Sequence, residues 1–342
     1  MRKMDIRLRK MLALIMVSTM LLAGCLGGTT SNHGSEITDE LQGPTDPLDN
    51  GTNSSENGII KIEGSNFCDD TNHIHCMLPF PSGAFLDVDE TQDTGYRLSI
   101  DGEAIPDTRS SVSDNMVILD RLDGFSPSTQ IFTAFDEVPN IEGMATQFDI
   151  GISTMNGHNS ILLNMETGEK VHHWIELDAR AQDDEETLLF LRTIEGLNHN
   201  TKYAVGFRNL VNEEGVPITS SDGFRALRDG NETDSDGIEA QREAYEEVFE
   251  KLDAGGFERG NLQSAWWFHT ASTESILQDI LIMRDDAEQR LGEGGIGCQI
   301  TDIEENFGND NTSLRLIRGT VTPPHYMENE FARSPLMRGV SG

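Results

Sequence analysis

Two cysteines flanking two histidines form the densest chemistry-bearing cluster in the chain, Cys68-Asp-Asp-Thr-Asn-His73-Ile-His75-Cys76. Thiolates and imidazoles are the ligands zinc prefers, and four of them match the ligand count of a tetrahedral site. The spacing matches no familiar zinc pattern, and in an oxidising compartment the same two cysteines close a small loop as a disulfide. A Cys68–Cys76 disulfide is therefore the expected state, with zinc as the sharper alternative. A bridge over so short a loop stabilises by roughly 2–3 kcal/mol through chain entropy. Of the four cysteines, Cys25 and Cys298 are left over.

The remaining candidates for chemistry are weaker. A hydrolase nucleophile elbow needs Gly-x-Ser-x-Gly between a strand and a helix. Gly151-Ile-Ser153 fails because Met155 stands where the last glycine belongs, and Gly339-Val-Ser341-Gly342 leaves no room for partners. Glu232, Asp234, Asp236, Gly237 and Glu243 loosely mimic a calcium loop, but a helix start explains Asp236 and Glu239 without a metal. His172 and His173 lie in an expected strand, where successive side chains face opposite ways, so they cannot share one ion. In Trp266-Trp267-Phe268-His269, alternation sends Trp267 and His269 one way and Trp266 and Phe268 the other, which reads as a core strand more readily than as a binding surface. The sequence thus assigns no catalytic residue, no metal ligand and no cofactor.

Charge narrows the field further. The chain has 342 residues, with 25 Lys and Arg against 59 Asp and Glu, a formal charge of −34. Phosphate binding needs clustered cations, so a nucleic-acid partner is excluded. A polybasic contact with anionic lipid is excluded for the same reason. Acidity of this extent reads as solubility.

These groups must be positioned by elements that begin with an export signal. Arg2, Lys3, Arg7, Arg9 and Lys10 precede an apolar run from Met11 to Ala23, then Leu22-Ala-Gly-Cys25. A basic start, a short apolar run and small residues describe a secretory signal over 1–24. Leu22-Ala-Gly-Cys25 resembles the lipobox of prokaryotic lipoproteins. That resemblance implies cleavage before Cys25 and a lipid thioether on its sulfur. The mature chain loses five basic residues and one acidic residue and carries −38. It is expected at the cell surface, lipid-anchored to the outer face of the cytoplasmic membrane or envelope. Residues 25–58 are rich in Gly, Ser, Thr, Asn, Asp and Pro and read as a disordered tether. Asn50-Gly-Thr, Asn53-Ser-Ser, Asn231-Glu-Thr and Asn311-Thr-Ser are glycosylation-type sequons.

The fold expected beyond the tether is mainly β, with an immunoglobulin-like β-sandwich followed by an α+β segment, an incomplete α/β unit. Residues 59–129 form an irregular, turn-rich stretch, since Pro79 and Pro81 remove backbone donors. Arg97–Ile100 and Met116–Leu119 are short strand candidates within it. Residues 130–228 read as all-β. Gln130–Phe135, Ser160–Met165, Lys170–Leu177, Thr187–Thr193 and Lys202–Leu210 are its strands, and Glu166-Thr-Gly-Glu169 marks a hairpin. Thr187–Thr193 is apolar on both faces, as a fully buried strand would be. Leu197-Asn-His-Asn-Thr-Lys-Tyr203 resembles the tyrosine corner of immunoglobulin-like and fibronectin-like sandwiches, in which the phenol reaches back to a backbone group. Residues 229–342 then change period. Asp236 and Glu239 open a helix to about Asp253, Leu262–His269 is a strand, and Ser272 caps a helix to Leu291. Gly297–Ile303 and Ser313–Val321 are further strands.

Four stretches together resemble one group of proteins: Cys76-Met-Leu-Pro-Phe-Pro-Ser82 with Asp93-Thr-Gly-Tyr-Arg97, Asp123-Gly-Phe-Ser-Pro127, Phe224-Arg-Ala-Leu-Arg-Asp229, and Thr270-Ala-Ser272 leading to Met283-Arg-Asp-Asp286. They are similar to the N-terminal half of large secreted lipase-like proteins, in which an immunoglobulin-like region precedes an α/β-hydrolase domain. The resemblance spans 68 to about 325, and its motifs are structural. It implies the non-catalytic N-terminal portion of a surface-anchored esterase or lipase-like hydrolase, with a possible downstream hydrolase domain as partner. No triad residue is present to carry over, so the alternative is a free-standing extracellular binding or structural lipoprotein.

Overall fold

The structure, a computed structural model, describes residues 59–62, 64–65, 67–105, 121–181, 187–308 and 313–329. The signal at 1–24, Cys25, the tether to residue 58, Met116–Leu119, Asn311 and Gly339–Gly342 lie outside the described residues. No described helix is long and apolar enough to cross a membrane.

The described chain is mainly β, and its named sheets are antiparallel. A small ribbon pairs β1 (Leu86–Val88) with β2 (Tyr96–Leu98). One three-stranded sheet has β6 (Leu189–Thr193) between β3 (Ile131–Thr133) and β5 (His173–Leu177). A second has β7 (Lys202–Arg208) between β4 (Ser160–Asn164) and β8 (Leu262–His269). Between β7 and β8 the chain forms α1 (Asp222–Asp229) and α2 (Asp236–Ala254). After β8 come α3 (Thr273–Leu291) and a ribbon of β9 (Cys298–Glu305) with β10 (Arg315–Val321).

The strand β7 organises the core because its two faces differ in size. Tyr203, Val205 and Phe207 form the large face, as their period-2 spacing predicts. Trp266 and Phe268 of β8 lie beside them, with Tyr203 stacked on Phe268 at 5.6 Å and Phe207 on Trp266 at 6.1 Å. Ala204 and Gly206 form the small face, and α2 packs there. A Cβ on Gly206 would sit 3.1–3.3 Å from Ile161, Leu252 and Leu262, so the close approach requires glycine. On α2, Tyr245, Val248, Phe249 and Leu252 recur at helical spacing and are all buried.

Several expectations change here. The Glu166–Glu169 turn does start a hairpin, with Val171 N–H donating to Leu162 O at 2.8 Å. Pairing stops after the single bridge Leu163–Lys170, and β5 crosses to the other sheet. Sheet membership is decided by which strand each can pair with across the core, and a turn motif carries no information about that. The strand β6 is not buried on both faces: Leu189 and Leu191 are buried, while Phe190 and Arg192 are half-exposed. The Arg192 guanidinium covers the Phe190 ring at 4.5 Å, which gives that apolar side chain a polar lid.

The stretch to 228 is not all-β, since Asp222–Asp229 is helical. Gly230 ends α1 with φ 74°, and Phe224, Ala226 and Leu227 are buried. The second helix is capped by Ser235 rather than Asp236; its Oγ accepts the Ile238 N–H at 3.1 Å. Glu239 reaches past that cap to the Thr233 N–H at 2.9 Å.

Among the described residues, no α/β unit opens after 229. The strand β8 runs antiparallel to β7, and among the described residues the only parallel pairings are the single bridges Ile60–Thr233 and Phe125–Thr270. The boundary read between 228 and 229 runs through one core, because β8 shares a sheet with β7 and the buried cluster runs from Phe85 to Phe268.

Candidate functional site

Among the described residues, one open cleft and one buried cluster gather polar side chains. The open one is a cleft of about 340 Å³ lined by Lys61, Asp70, His73, Asp136, Ser221 and Asp222, among others. The disulfide loop forms one wall. Cys68 and Cys76 are bonded, which removes both sulfurs from any zinc set. His75 is turned to its own loop, its Nδ1 accepting the Met77 N–H at 3.2 Å.

The loop hangs from Asp69, which is fully buried. Its carboxylate accepts from the Thr71 N–H at 3.0 Å, from the Thr71 hydroxyl at 2.6 Å and from the Ser82 hydroxyl. Burial outweighs these donors and pushes the Asp69 carboxyl up to about 6. Asn72 ties the loop to the segment after β3, donating to Ala134 O at 3.0 Å.

Within the cleft, His73 Nε2 meets Asp136 Oδ1 at 2.8 Å, both side chains being about half exposed. The Ser221 hydroxyl donates to Thr71 O at 2.5 Å and is thereby committed. Asp222 pairs with Arg225 at 2.6 Å. Asp70 Oδ2 accepts from the Ser235 hydroxyl at 2.6 Å, while its buried Oδ1 has no partner among the described residues. Three carboxylates face one lysine and one histidine. That set can hold a small polar group, but it offers no nucleophile joined to a base. Among the described residues, no three His, Cys, Asp or Glu side chains are grouped to hold a metal ion. Of the carboxylates of the calcium-like loop, Asp234 is turned away to accept the Ile62 N–H at 2.9 Å.

The buried place lies between the two three-stranded sheets. The Ser160 hydroxyl of β4 and His173 Nε2 of β5 are 2.8 Å apart, and both residues are fully buried. His158 Nε2 accepts the Ala145 N–H at 2.9 Å, which puts the proton on its Nδ1. That Nδ1 lies 3.1 Å from Ser160 Oγ. His173 Nδ1 donates to Val171 O at 2.8 Å. His158 Nδ1 is also 3.1 Å from Ser160 O, so His158 is tied to the Ser160 backbone, while the Ser160 hydroxyl donates to His173 Nε2 and His173 passes on to Val171 O.

The geometry is that of a serine activated by a histidine, but no substrate reaches a fully buried hydroxyl. Both imidazoles are neutral donors and acceptors. Burial lowers His173 to about 4 and lowers His158 as well. Ser153 belongs to the same patch, accepting the His173 N–H at 3.2 Å and donating to Ile150 O at 2.8 Å. The failed elbow serine is therefore part of the polar tie between sheets. Sequence reasoning missed this cluster, and no signal in the sequence marks it, because Ser160 and His173 belong to strands of different sheets.

Among the other expected groups, Trp266 and Trp267 are both buried core residues, as the strand reading predicts. His172 is exposed and His173 buried, on opposite faces. Tyr203 sits early in β7, and its phenol oxygen accepts the Asn198 N–H at 3.0 Å, with burial raising its pKa. Cys298 is a free, exposed cysteine.

Comparison of the chain with protein families, curated proteins and solved structures finds no match.

Proposed function

We propose that the described chain is an immunoglobulin-like module, the non-catalytic N-terminal portion of an exported, lipid-anchored protein of the lipase-like hydrolase type. The observation that carries the immunoglobulin-like reading is the strand order, while export and the anchor rest on the basic leader and Leu22-Ala-Gly-Cys25. In the constant-type immunoglobulin arrangement one sheet runs A-B-E-D and the other C-F-G. Here the orders are β3-β6-β5 and β4-β7-β8. Taken in chain order as B to G, the six strands fall as B-E-D and C-F-G. The place of strand A is held by Phe80, which makes one antiparallel bridge to Phe132 between Pro79 and Pro81. Two prolines restrict it to that single bridge on the edge.

A second support is Tyr203. It begins the strand that corresponds to F and binds back to Asn198, the corner expected of such sandwiches. The departure is the connection between F and G, which carries α1 and α2 in place of a short hairpin. The Cys68–Cys76 bridge fits the oxidising compartment that the leader sequence implies. In this reading the module holds a catalytic domain at the cell surface and contributes no reacting group.

The test has two arms on the full chain. Globomycin treatment and Cys25→Ala should each shift the protein out of the membrane fraction. A panel of short and long acyl esters should show no turnover above the blank. Turnover that disappears in Ser160→Ala would overturn the non-catalytic reading, and a lipid-free, cytosolic wild type would overturn the anchor.

The cleft favours a second reading, a binding module for a small polar ligand, because Lys61, His73, Asp136 and Asp222 line one open volume of about 340 Å³. Calorimetric titration with calcium and with simple cationic sugars or amines tests it, and no heat from any of them removes it.

A further inference from the structure

We propose that Asn231 is an N-glycan attachment site, filled before the loop that carries it has folded. The proposal rests on the exported reading above. Asn231-Glu-Thr233 is the sequon that lies wholly among the described residues, directly after the left-handed Gly230 that ends α1. Its backbone is pinned on both sides. The N–H donates to Ala226 O at 2.9 Å, and the carbonyl accepts from Arg242 Nη2 at 2.7 Å. Its side chain is exposed, and no described residue is hydrogen-bonded to its amide. A sugar on Nδ2 therefore projects into solvent from a fixed support and displaces no packed atom.

Thr233 is in the opposite state. It is only 9% exposed, and its hydroxyl donates to Glu239 Oε1 at 2.8 Å. Its N–H donates to the same oxygen at 2.9 Å, and the residue bridges to Ile60. The third-position hydroxyl is what makes Asn-x-Thr an acceptor. In the folded chain that hydroxyl is occupied. Transfer must then precede closure of the Thr233–Glu239 contact, during or just after export.

The co-reactant is a glycan carried on a lipid pyrophosphate. Asn231 Nδ2 attacks C1 of the first sugar, the new N–C bond forms and the C1–O bond breaks. The nitrogen loses one proton, and the lipid pyrophosphate leaves with the bonding pair.

The test expresses the full chain, with its leader, in an exporting host that transfers such glycans, with a control Asn-Gly-Thr sequon appended after residue 342. Peptide mass spectrometry should find a glycan on Asn231 that is lost in Asn231→Gln. As an acceptor in vitro, the purified non-glycosylated chain should be several-fold poorer folded than unfolded, and Glu239→Ala should raise acceptance by the folded chain. An occupied control with a bare Asn231 would overturn the site while leaving export intact. A bare control and a bare Asn231 together would overturn export and the site with it. Equal acceptance by folded and unfolded chains would overturn the proposed timing.

Discussion

The strands β4, β7 and β8 bury every large apolar side chain they carry, whereas β9 and β10 leave Ile300, Ile303, Ile317 and Val321 between 48% and 59% exposed. By β-branched content the exposed ribbon is the better strand former, with six such residues in fifteen against two in twenty. They differ in what covers them. The central sheet has a second sheet on one face, reached through the Ser160–His173 bond, and α2 on the other. The β9–β10 ribbon has two strands and no described cover, and α3 before it has no buried residue at all. A two-stranded ribbon alone is marginally stable in water, so burial on at least one face separates a core from an arm. What joins the arm to the core is polar: the Asp123 N–H to the Ser275 hydroxyl at 3.2 Å, and Arg121 to Asp279 at 3.2 Å.

The largest test of this contrast is truncation in the core against truncation in the arm. Leu162 is fully buried, and Leu162→Ala should cost about 2–5 kcal/mol in urea unfolding. Ile303→Ala, at 48% exposure, should fall within about 0.5 kcal/mol. Equal losses at the two positions would mean that the arm is packed in solution.

The next effect is pH. His173 is held down to about 4 in the fold against 6.5 when unfolded, so the unfolded state binds more protons between those values. Stability should be full above 6.5 and fall as pH drops toward 4. The window of about 2.5 pH units corresponds to about 3 kcal/mol, with His158 adding in the same direction. Asp69 works the other way. Its folded pKa, near 6, lies above the unfolded 3.8, so its contribution is present at low pH and lost as pH rises through 6. Asp69→Asn should therefore steepen the acid loss, and His173→Gln should flatten it. Denaturation midpoints from pH 4 to 8 read both slopes.

Breaking the loop comes next. Cys68→Ser with Cys76→Ser removes a closure over few residues and should cost about 2–3 kcal/mol. Tyr203→Phe leaves the Asn198 N–H without its acceptor and should cost about 1–2 kcal/mol, visible in thermal melts.

Much of the local structure was legible in the sequence. Period-2 alternation marked Lys202–Leu210, and Ser272 before Ile276, Leu277, Ile280 and Leu281 marked α3 as it stands. The short loop between Cys68 and Cys76 pointed to their bond. What could not be read is non-local. Glu166-Thr-Gly-Glu169 says that the chain turns, but not that β5 then leaves β4 for β6. The helix α1 was hidden because Phe224, Ala226 and Leu227 are too few to establish a period. The cleft draws on residues from 61 to 223, and no spacing rule spans that distance.

Strand order carries the account, and cross-strand proton contacts measured by NMR in solution test it most directly. The account predicts close backbone contacts between Phe132 and Phe190 and between Val205 and Trp266, the facing pairs of β3–β6 and β7–β8. A ladder of backbone contacts running on from Leu163–Lys170 through Ile161–His172 to Asn159–Trp174, as in an ordinary β4–β5 hairpin, would contradict it.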